Sequence, residues 1–275
     1  MAGDGEKRIM TNNSSKDLVL APSGSLEITA LSEVSSSVKP VYLSLVIPTY
    51  NESKNILAVV HLLSDLLNEA LVDNYELIVV DDDSYDRTWE IAQELTKDYP
   101  RLRVIRRQGE RGLSTAVIRG WQIAQGEILG VIDGDLQHPP EVLLKLLKAM
   151  DQEADIAVAS RNITGGGTSD WQWHRRFLSR GAQFLGLLIL PDIVSRVSDP
   201  MSGYFLVRRK AIAQKLMSPL GYKILIEVLG RGEINHIIEV GYVFQERQEG
   251  ASKVTWRQYI EYLIHLVRLR FHVVY

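Results

Sequence analysis

Short unbroken apolar runs alternate with amphipathic stretches along most of this chain. Leu43-Ser44-Leu45-Val46-Ile47-Pro48 has the texture of a buried strand stopped by proline. From Glu52 to Leu71, the residues Ile56, Val59, Val60, Leu63, Leu66 and Leu67 fall on one helical face. The alternation then repeats. A strand at Glu76–Val80 runs into three aspartates, and a helix follows from Asp86 to Tyr99. Next come a strand at Arg103–Ile105, a helix at Leu113–Gln125 and a strand at Ile128–Ile132. Pro139 and Pro140 open another helix, and Asp155–Ala159 is a fifth strand. This pattern predicts an α/β fold, a doubly wound and mostly parallel sheet. Ligands in such sheets bind beyond the carboxyl ends of the strands, where the acidic clusters of this chain stand.

The flanks read differently. Residues 1–40 are rich in Ser, Asn, Gly and Lys, lack periodicity, and are expected to be a disordered tail. After Gly165-Gly166-Gly167 the pattern loosens. Phe177 to Leu190 is strongly apolar, with Arg175, Arg176 and Arg180 at its start. Short strands are expected at Tyr204–Val207 and Ile237–Glu246, and a last helix at Trp256–Phe271. The main domain therefore spans 41–253, followed by an amphipathic C-terminal helix within 254–275.

Composition narrows the function classes. The 275 residues carry 31 Lys plus Arg against 34 Asp plus Glu, a net charge of −3. That balance argues against a chain that coats nucleic acid. A 45% hydrophobic and 24% charged composition is that of an ordinary globular protein. With no cysteine, disulfides, thiolate metal sites, iron–sulfur clusters and cysteine nucleophiles are excluded, and a reducing compartment fits. No run of about 18 apolar residues is present, and residues 1–30 lack a signal peptide's apolar stretch. The expectation is a soluble or peripheral intracellular protein. Walker, G-x-G-x-x-G and H-E-x-x-H motifs are all missing.

Three short segments carry the candidate chemistry. Asp133-Gly134-Asp135 puts two carboxylates just past a buried strand, where their repulsion is costly unless a cation joins them. Hard oxygen donors of this kind suit Mg²⁺ or Mn²⁺, which bind one or two carboxylates plus substrate phosphates. Gln137 is a further oxygen donor two residues on. A polar turn closing the strand would use the same residue types, so spacing leaves both readings open. His138, before Pro139-Pro140, reads as a turn residue. Asp81-Asp82-Asp83-Ser84 closes the preceding strand, and although helix capping explains part of it, three successive acids exceed one cap's need. Pro48-Thr49-Tyr50-Asn51-Glu52 ends the first strand. There Tyr50 could stack on a base and Glu52 could accept from ribose or base, although for these residues in isolation a turn with a cap is the better reading.

Taken together, these segments resemble the family-two nucleotide-sugar glycosyltransferases, whose fold is the GT-A type. Ser160-Arg161 with Gly165-Gly166-Gly167, Ser198-Asp199-Pro200-Met201-Ser202-Gly203-Tyr204-Phe205, Gly221-Tyr222-Lys223-Ile224-Leu225 and Arg247…Gly250-Ala251-Ser252-Lys253 narrow the match. They resemble the dolichol- or polyprenyl-phosphate hexosyltransferases, over roughly Leu43 to Arg270. The resemblance implies that Pro48, Tyr50, Glu52 and Asp82 line the nucleoside pocket. It implies that Asp133, Asp135 and Gln137 hold Mg²⁺ or Mn²⁺ and the donor diphosphate, with Gly134 allowing close backbone approach. Arg161 and Arg175 or Arg176 would face the acceptor phosphate, while Arg247 and Lys253 would bind the donor diphosphate. Asp135, Arg161 and Arg247 are then the catalytic candidates. Two departures stand out. Asp83-Ser84-Tyr85-Asp86-Arg87-Thr88 replaces the commoner Asn-Ser-Pro-Asp-Gly-Thr, and many relatives continue into membrane helices beyond the position of Arg270.

The implied reaction is inverting transfer of a hexose from a nucleotide sugar to a dolichyl or undecaprenyl phosphate. Mannose from GDP-mannose is the commonest implication, with glucose from UDP-glucose or a non-catalytic scaffold on the same fold as alternatives. Phosphate meeting diphosphate is repulsive without cations, and guanidinium forks suit phosphate. A paired-aspartate phosphatase of the haloacid type would carry Thr or Val where Gln137 stands. Tyr259, Ile260, Leu263, Ile264, Val267 and Phe271 form a stripe beside Arg257, Arg268 and Arg270, and Gly181–Leu190 is too short to span a bilayer. Such elements either lie in a lipid interface or pack on the sheet. The partners implied are a nucleotide sugar, a polyprenyl phosphate and a membrane surface, at the cytoplasmic face. A membrane subunit or a homo-oligomer is left open, and no nucleic acid is expected.

Overall fold

The computed structural model describes residues 27–28, 41–168, 181, 185–245 and 256–271. Arg175, Arg176, Arg247, Lys253 and all but two residues of the expected tail lie outside them. The strands, in chain order, are β1 (Glu27–Ile28), β2 (Leu43–Thr49), β3 (Tyr75–Asp81), β4 (Leu102–Arg106), β5 (Ile128–Val131) and β6 (Ile156–Ser160). They are followed by β7 (Gly167–Thr168), β8 (Phe205–Arg208), β9 (Ile237–Gly241) and β10 (Val243–Phe244). Eight of them form one sheet in the order β1-β4-β3-β2-β5-β8-β6-β9. β2 pairs in parallel with both β3 and β5, so the strand order reverses beside it. The chain winds outward through β3 and β4, then returns to β5 on the other side. Loops after β2 and β5 thus flank the crevice where such sheets take ligands.

The parallel half is buried on both faces because helices cover each side. Every residue of β2 and β3 is buried. Helices α1 (Ile56–Leu71), α2 (Thr88–Leu95) and α4 (Val142–Asp151) contribute to one apolar layer with Leu45, Leu77 and Val79. Helix α3 (Leu113–Ile123) packs on the opposite face with Val46, Ile78 and Val80. Its approach is close: a Cβ at Gly120 would lie 2.6 Å from Val46 Cγ2.

The second half of the sheet is mixed. β8 runs antiparallel to both neighbours, β5 and β6. The expected strand at Ile237–Glu246 breaks at Tyr242, and β10 leaves the main sheet to pair in parallel with β7. Two helices are also shorter than their apolar patterns. α1 begins at Ile56 because residues 52–55 form a turn, with Glu52 O accepting from Asn55 N–H at 2.9 Å and Ile56 N–H at 3.0 Å. α2 begins at Thr88 because Arg87 is left-handed, and Asp86 Oδ1 accepts from Thr88 N–H at 3.1 Å.

The C-terminal helix, Trp256–Arg270, presents two different faces. Tyr262, Leu266 and Leu269 are buried against Leu190, Val194, Met201 and Ile226. Gly186 accommodates this contact, since a Cβ there would meet Tyr262 OH at 2.6 Å. A fully buried hydrogen bond fastens the same face: His265 Nε2 lies 2.7 Å from Glu227 Oε2. The Glu227 carboxylate also accepts from Arg231 Nε at 2.7 Å and from Ser218 N–H at 2.5 Å. Burial pushes the Glu227 carboxyl up, but His265, Arg231 and the amide outweigh it and leave it below its ordinary value. Ile260, Ile264, Val267 and Phe271 face outward, exposed. Packing on the domain thus claims one stripe of this helix and leaves a second apolar stripe uncovered. No helix among the described residues is long and apolar enough to cross a membrane.

Candidate active site

Three loops leave the carboxyl ends of β2, β3 and β5, and each turns through a left-handed residue: Asn51, Asp83 and Leu136. Asn and Asp tolerate that conformation; a bulky Leu does so only at a cost of about 1–3 kcal/mol. Leu136 stands between the second carboxylate and Gln137, and its turn lets Asp135 Oδ1 accept from Gln137 N–H at 3.1 Å.

The first acidic cluster is fully engaged with the protein. Asp81 accepts from Thr49 Oγ1 at 2.8 Å, Ser84 Oγ at 2.6 Å and Ser84 N–H at 2.8 Å. Asp82 Oδ1 takes the fork of Arg107, whose Nε lies at 2.7 Å, and its Oδ2 accepts from Gly112 N–H at 2.7 Å. Arg107 is itself fully buried. Asp83 pairs with Arg106 at 2.6 Å. Burial pushes the Asp81 and Asp82 carboxyls up, against the pull of Ser84 and Arg107 respectively. At the mouth of this region Arg111 reaches Tyr50 OH at 3.3 Å and Tyr85 OH at 3.2 Å. Its guanidinium also lies over both rings, at 5.1 and 5.4 Å from their centroids. Pro48 is buried inside β2, and buried Glu52 accepts from Asn55 Nδ2 at 2.7 Å.

The second cluster is different. Asp133 Oδ2 lies 3.3 Å from His138 Nε2, while Asp133 Oδ1 is buried with no hydrogen-bond partner. Gly203 lets the β8 approach loop press against it, since a Cβ there would sit 3.1 Å from Asp133 Oδ2. Gly134 has a packing reason too, its Cβ position being 3.2 Å from Thr49 Cγ2. Gln137 is tied to the strand that leads toward Arg247: its Nε2 donates to Gln245 O at 3.0 Å, and Gln245 N–H donates back to Gln137 O at 2.9 Å. Two carboxylates and an amide oxygen make a hard donor set, and a buried carboxylate oxygen lacking any donor is the arrangement a divalent cation satisfies. Among the described residues, no group of three His, Cys, Asp or Glu side chains could hold a metal by itself. Gln137 and substrate oxygens would have to complete the shell.

Beyond β6, Arg161 is gripped by Asp199, with Nε at 2.6 Å and Nη2 at 2.8 Å from the two carboxylate oxygens. Burial pushes the Asp199 carboxyl up, but the Arg161 guanidinium outweighs it and holds the group below its ordinary value. Lys223 Nζ donates to Met201 O at 2.8 Å, close enough to this pair to feel it. Burial and then Arg161 push its ammonium down to about 7, against Asp199 and Asp133. Asp199 and Lys223 stand in the Ser198–Phe205 and Gly221–Leu225 motifs, whose spacing alone assigns them no role. Arg111 and Tyr242 carried no sequence signal.

Residues 44–214 match the model of the family described as glycosyl transferase family 2. The chain belongs to that family. A dolichol-phosphate mannosyltransferase of Pyrococcus furiosus is 45% identical over 82% of this chain and 63% of its own length, so the chain spans under two thirds of that relative. Dolichol-phosphate mannosyltransferases of Mycosarcoma maydis and Saccharomyces cerevisiae are each 34% identical, over 84% and 82% of this chain and 81% and 86% of their own. All three of these relatives are named dolichol-phosphate mannosyltransferases. Glucosyl-3-phosphoglycerate synthase from Mycobacterium tuberculosis, solved with Mn²⁺, UDP and glucosyl-3-phosphoglycerate, superposes with a TM-score of 0.60 at 20% identity. That match covers 86% of this chain and 81% of the synthase. Mannosyl-3-phosphoglycerate synthase from Rubrobacter xylanophilus gives 0.57 at 21% identity, over 84% and 73%. At such identities these two attest the shared GT-A fold.

Proposed function

We propose that this chain transfers a mannosyl group from GDP-mannose to the phosphate of dolichol or a similar polyprenyl lipid. The observation that carries the reading is the unpartnered Asp133 Oδ1 beside Asp135 at the switch point of the sheet. The activity named for the three relatives supports both the sugar and the acceptor. Asp133, Asp135 and Gln137 would hold Mg²⁺ or Mn²⁺. When bound, that cation supplies charge neutralisation for the departing diphosphate.

The remaining work belongs to the chain's own residues. Asp199 holds the Arg161 fork rigid, so Arg161 presents an oriented guanidinium to the acceptor phosphate at little entropic cost. Arg175 or Arg176 adds to that charge, and Arg247 and Lys253 neutralise the donor diphosphate. The Gln137–Gln245 link ties the metal loop to the strand that enters the Arg247 segment. A phosphate oxygen of the lipid attacks the anomeric carbon, and the bond from that carbon to the nucleoside diphosphate breaks on the opposite face. An α-linked donor therefore gives a β-linked product. The second pKa of a phosphate monoester is about 6, so the nucleophile needs no general base at neutral pH.

The setting is the cytoplasmic face of a membrane. The uncovered stripe Ile260, Ile264, Val267 and Phe271, together with exposed Leu185, Leu187 and Leu188, supports contact with lipid where the acceptor phosphate is presented. The deciding experiment is a donor panel with a short polyprenyl phosphate and Mg²⁺ or Mn²⁺. Turnover with GDP-mannose to a β-mannosyl product in the proton NMR spectrum is expected. Preference for UDP-glucose, or an α-linked product, overturns the reading.

A further inference from the structure

Next to the proposed metal carboxylate stands a histidine whose surroundings are those of a phenylalanine. His138 is buried, stacked on Tyr242 with ring centroids 5.5 Å apart, and met edge-on by Tyr204 at 5.2 Å and Phe244 at 5.1 Å. Its Nδ1 is buried without a partner. A phenyl ring would fill this box without leaving a desolvated nitrogen, so packing alone does not account for an imidazole here. The difference an imidazole makes is Nε2, which lies 3.3 Å from Asp133 Oδ2. A carboxylate oxygen only accepts, so Nε2 is the donor in this contact.

Asp133 is thereby divided into two unequal oxygens. Oδ2 is held by the imidazole, and Oδ1 is buried and unpartnered. We infer that His138 is a positioning residue that fixes the Asp133 carboxylate so that Oδ1 is the oxygen offered to the cation. The three aromatic neighbours lock the ring, the ring locks Oδ2, and the carboxylate has one oxygen left to give. Outer hydrogen-bond partners of metal-ligating carboxylates characteristically contribute this orientation, and their loss weakens metal binding about 10–100-fold. The inference rests on the reading of Asp133 as a metal ligand.

The test is Mn²⁺ binding to the full chain in the presence of GDP, followed by the EPR signal of free Mn²⁺. His138→Phe and His138→Leu remove the donor and keep an apolar filler, whereas His138→Gln returns an N–H near the position of Nε2. Donor-less variants should bind Mn²⁺ about 10–100-fold more weakly, with metal-free Tm unchanged or higher, and His138→Gln should recover most of the affinity. Their KM for Mn²⁺ in turnover should rise while kcat at saturating metal changes less. Wild-type affinity in a folded His138→Phe or His138→Leu chain overturns the inference, as does a His138→Gln chain that binds no better than His138→Leu. Failure of the wild type itself to bind Mn²⁺ would instead remove the metal assignment of Asp133, and the role of His138 with it.

Discussion

Two acidic clusters end neighbouring regions of the same sheet, and their environments are opposite. After β3, the carboxylates of Asp81, Asp82 and Asp83 are matched with hydroxyls, amides and the guanidinium groups of Arg106 and Arg107. Past β5, Asp133 keeps a buried oxygen without a partner, beside a histidine nitrogen and a Tyr242 hydroxyl in the same condition. Folding normally pairs such groups, since each one left desolvated costs about 1–3 kcal/mol. Acidic residues that look alike in sequence therefore differ in how fully the fold pairs their oxygens. The distinction lies in what the rest of the fold brings to them.

The strongest way to break this comparison is to neutralise the cluster past β5. Asp133→Asn or Asp135→Asn should lower transfer by about a thousandfold, roughly 4 kcal/mol of barrier, with Tm unchanged or raised. Steady-state rates and a melting curve on the same preparation check it; retention of a tenth of the wild-type rate would remove the metal assignment. The satisfied cluster should respond the other way. Asp82→Asn weakens the pairing of fully buried Arg107, and should cost about 3 kcal/mol. In a chain of this size that is a fall in Tm of about 6–12 °C. If activity collapsed while Tm held, Asp82 would belong with the cluster past β5.

Glu227 sharpens the contrast, being another buried acid with every neighbour in place. Glu227→Gln should cost about 2 kcal/mol at neutral pH, judged by urea midpoints. Its folded pKa is depressed below 4.5, so the stability it supplies is present above that value and lost as pH falls through the folded pKa. The gap between wild type and variant should therefore begin to close below about pH 4.5 and vanish only once pH is under the folded pKa; a gap that stayed constant as pH fell through that range would contradict the ionised assignment. The smallest effect is expected at the rim. Arg111→Ala, in an exposed side chain held by Tyr50 and Tyr85, should leave Tm essentially unchanged. A few-fold rise in donor KM at unchanged kcat would mark that trio as part of the nucleoside pocket, and an unchanged KM would return it to the surface.

The periodic half of the chain was largely legible in sequence. β2, β3 and β5 and the helices between them follow from continuous apolar runs and 3.6-residue stripes, because both faces of these strands are covered. The boundaries at Ile56 and Thr88 were less legible, since Asp86, Asn55 and Glu52 draw backbone and side-chain hydrogen bonds into turns that an apolar count does not register. β8 was legible as a strand but not in direction, because a buried strand looks the same read either way.

By itself, the sequence determined the α/β class, the acidic strand ends and the motif set that marks the family. These depend on residue type and local spacing, which one dimension carries. Tertiary structure alone decided which acids are spent and which are offered. Arg107 reaches Asp82 across 25 residues, and Glu227 meets His265 across 38. The same holds for the C-terminal helix, where Ile260, Ile264, Val267 and Phe271 of the expected stripe lie exposed while Tyr262, Leu266 and Leu269, outside that stripe, are buried in a core. A residue type fixes which bonds a side chain is able to make. Only the folded arrangement sets which partners come within about 3 Å to make them.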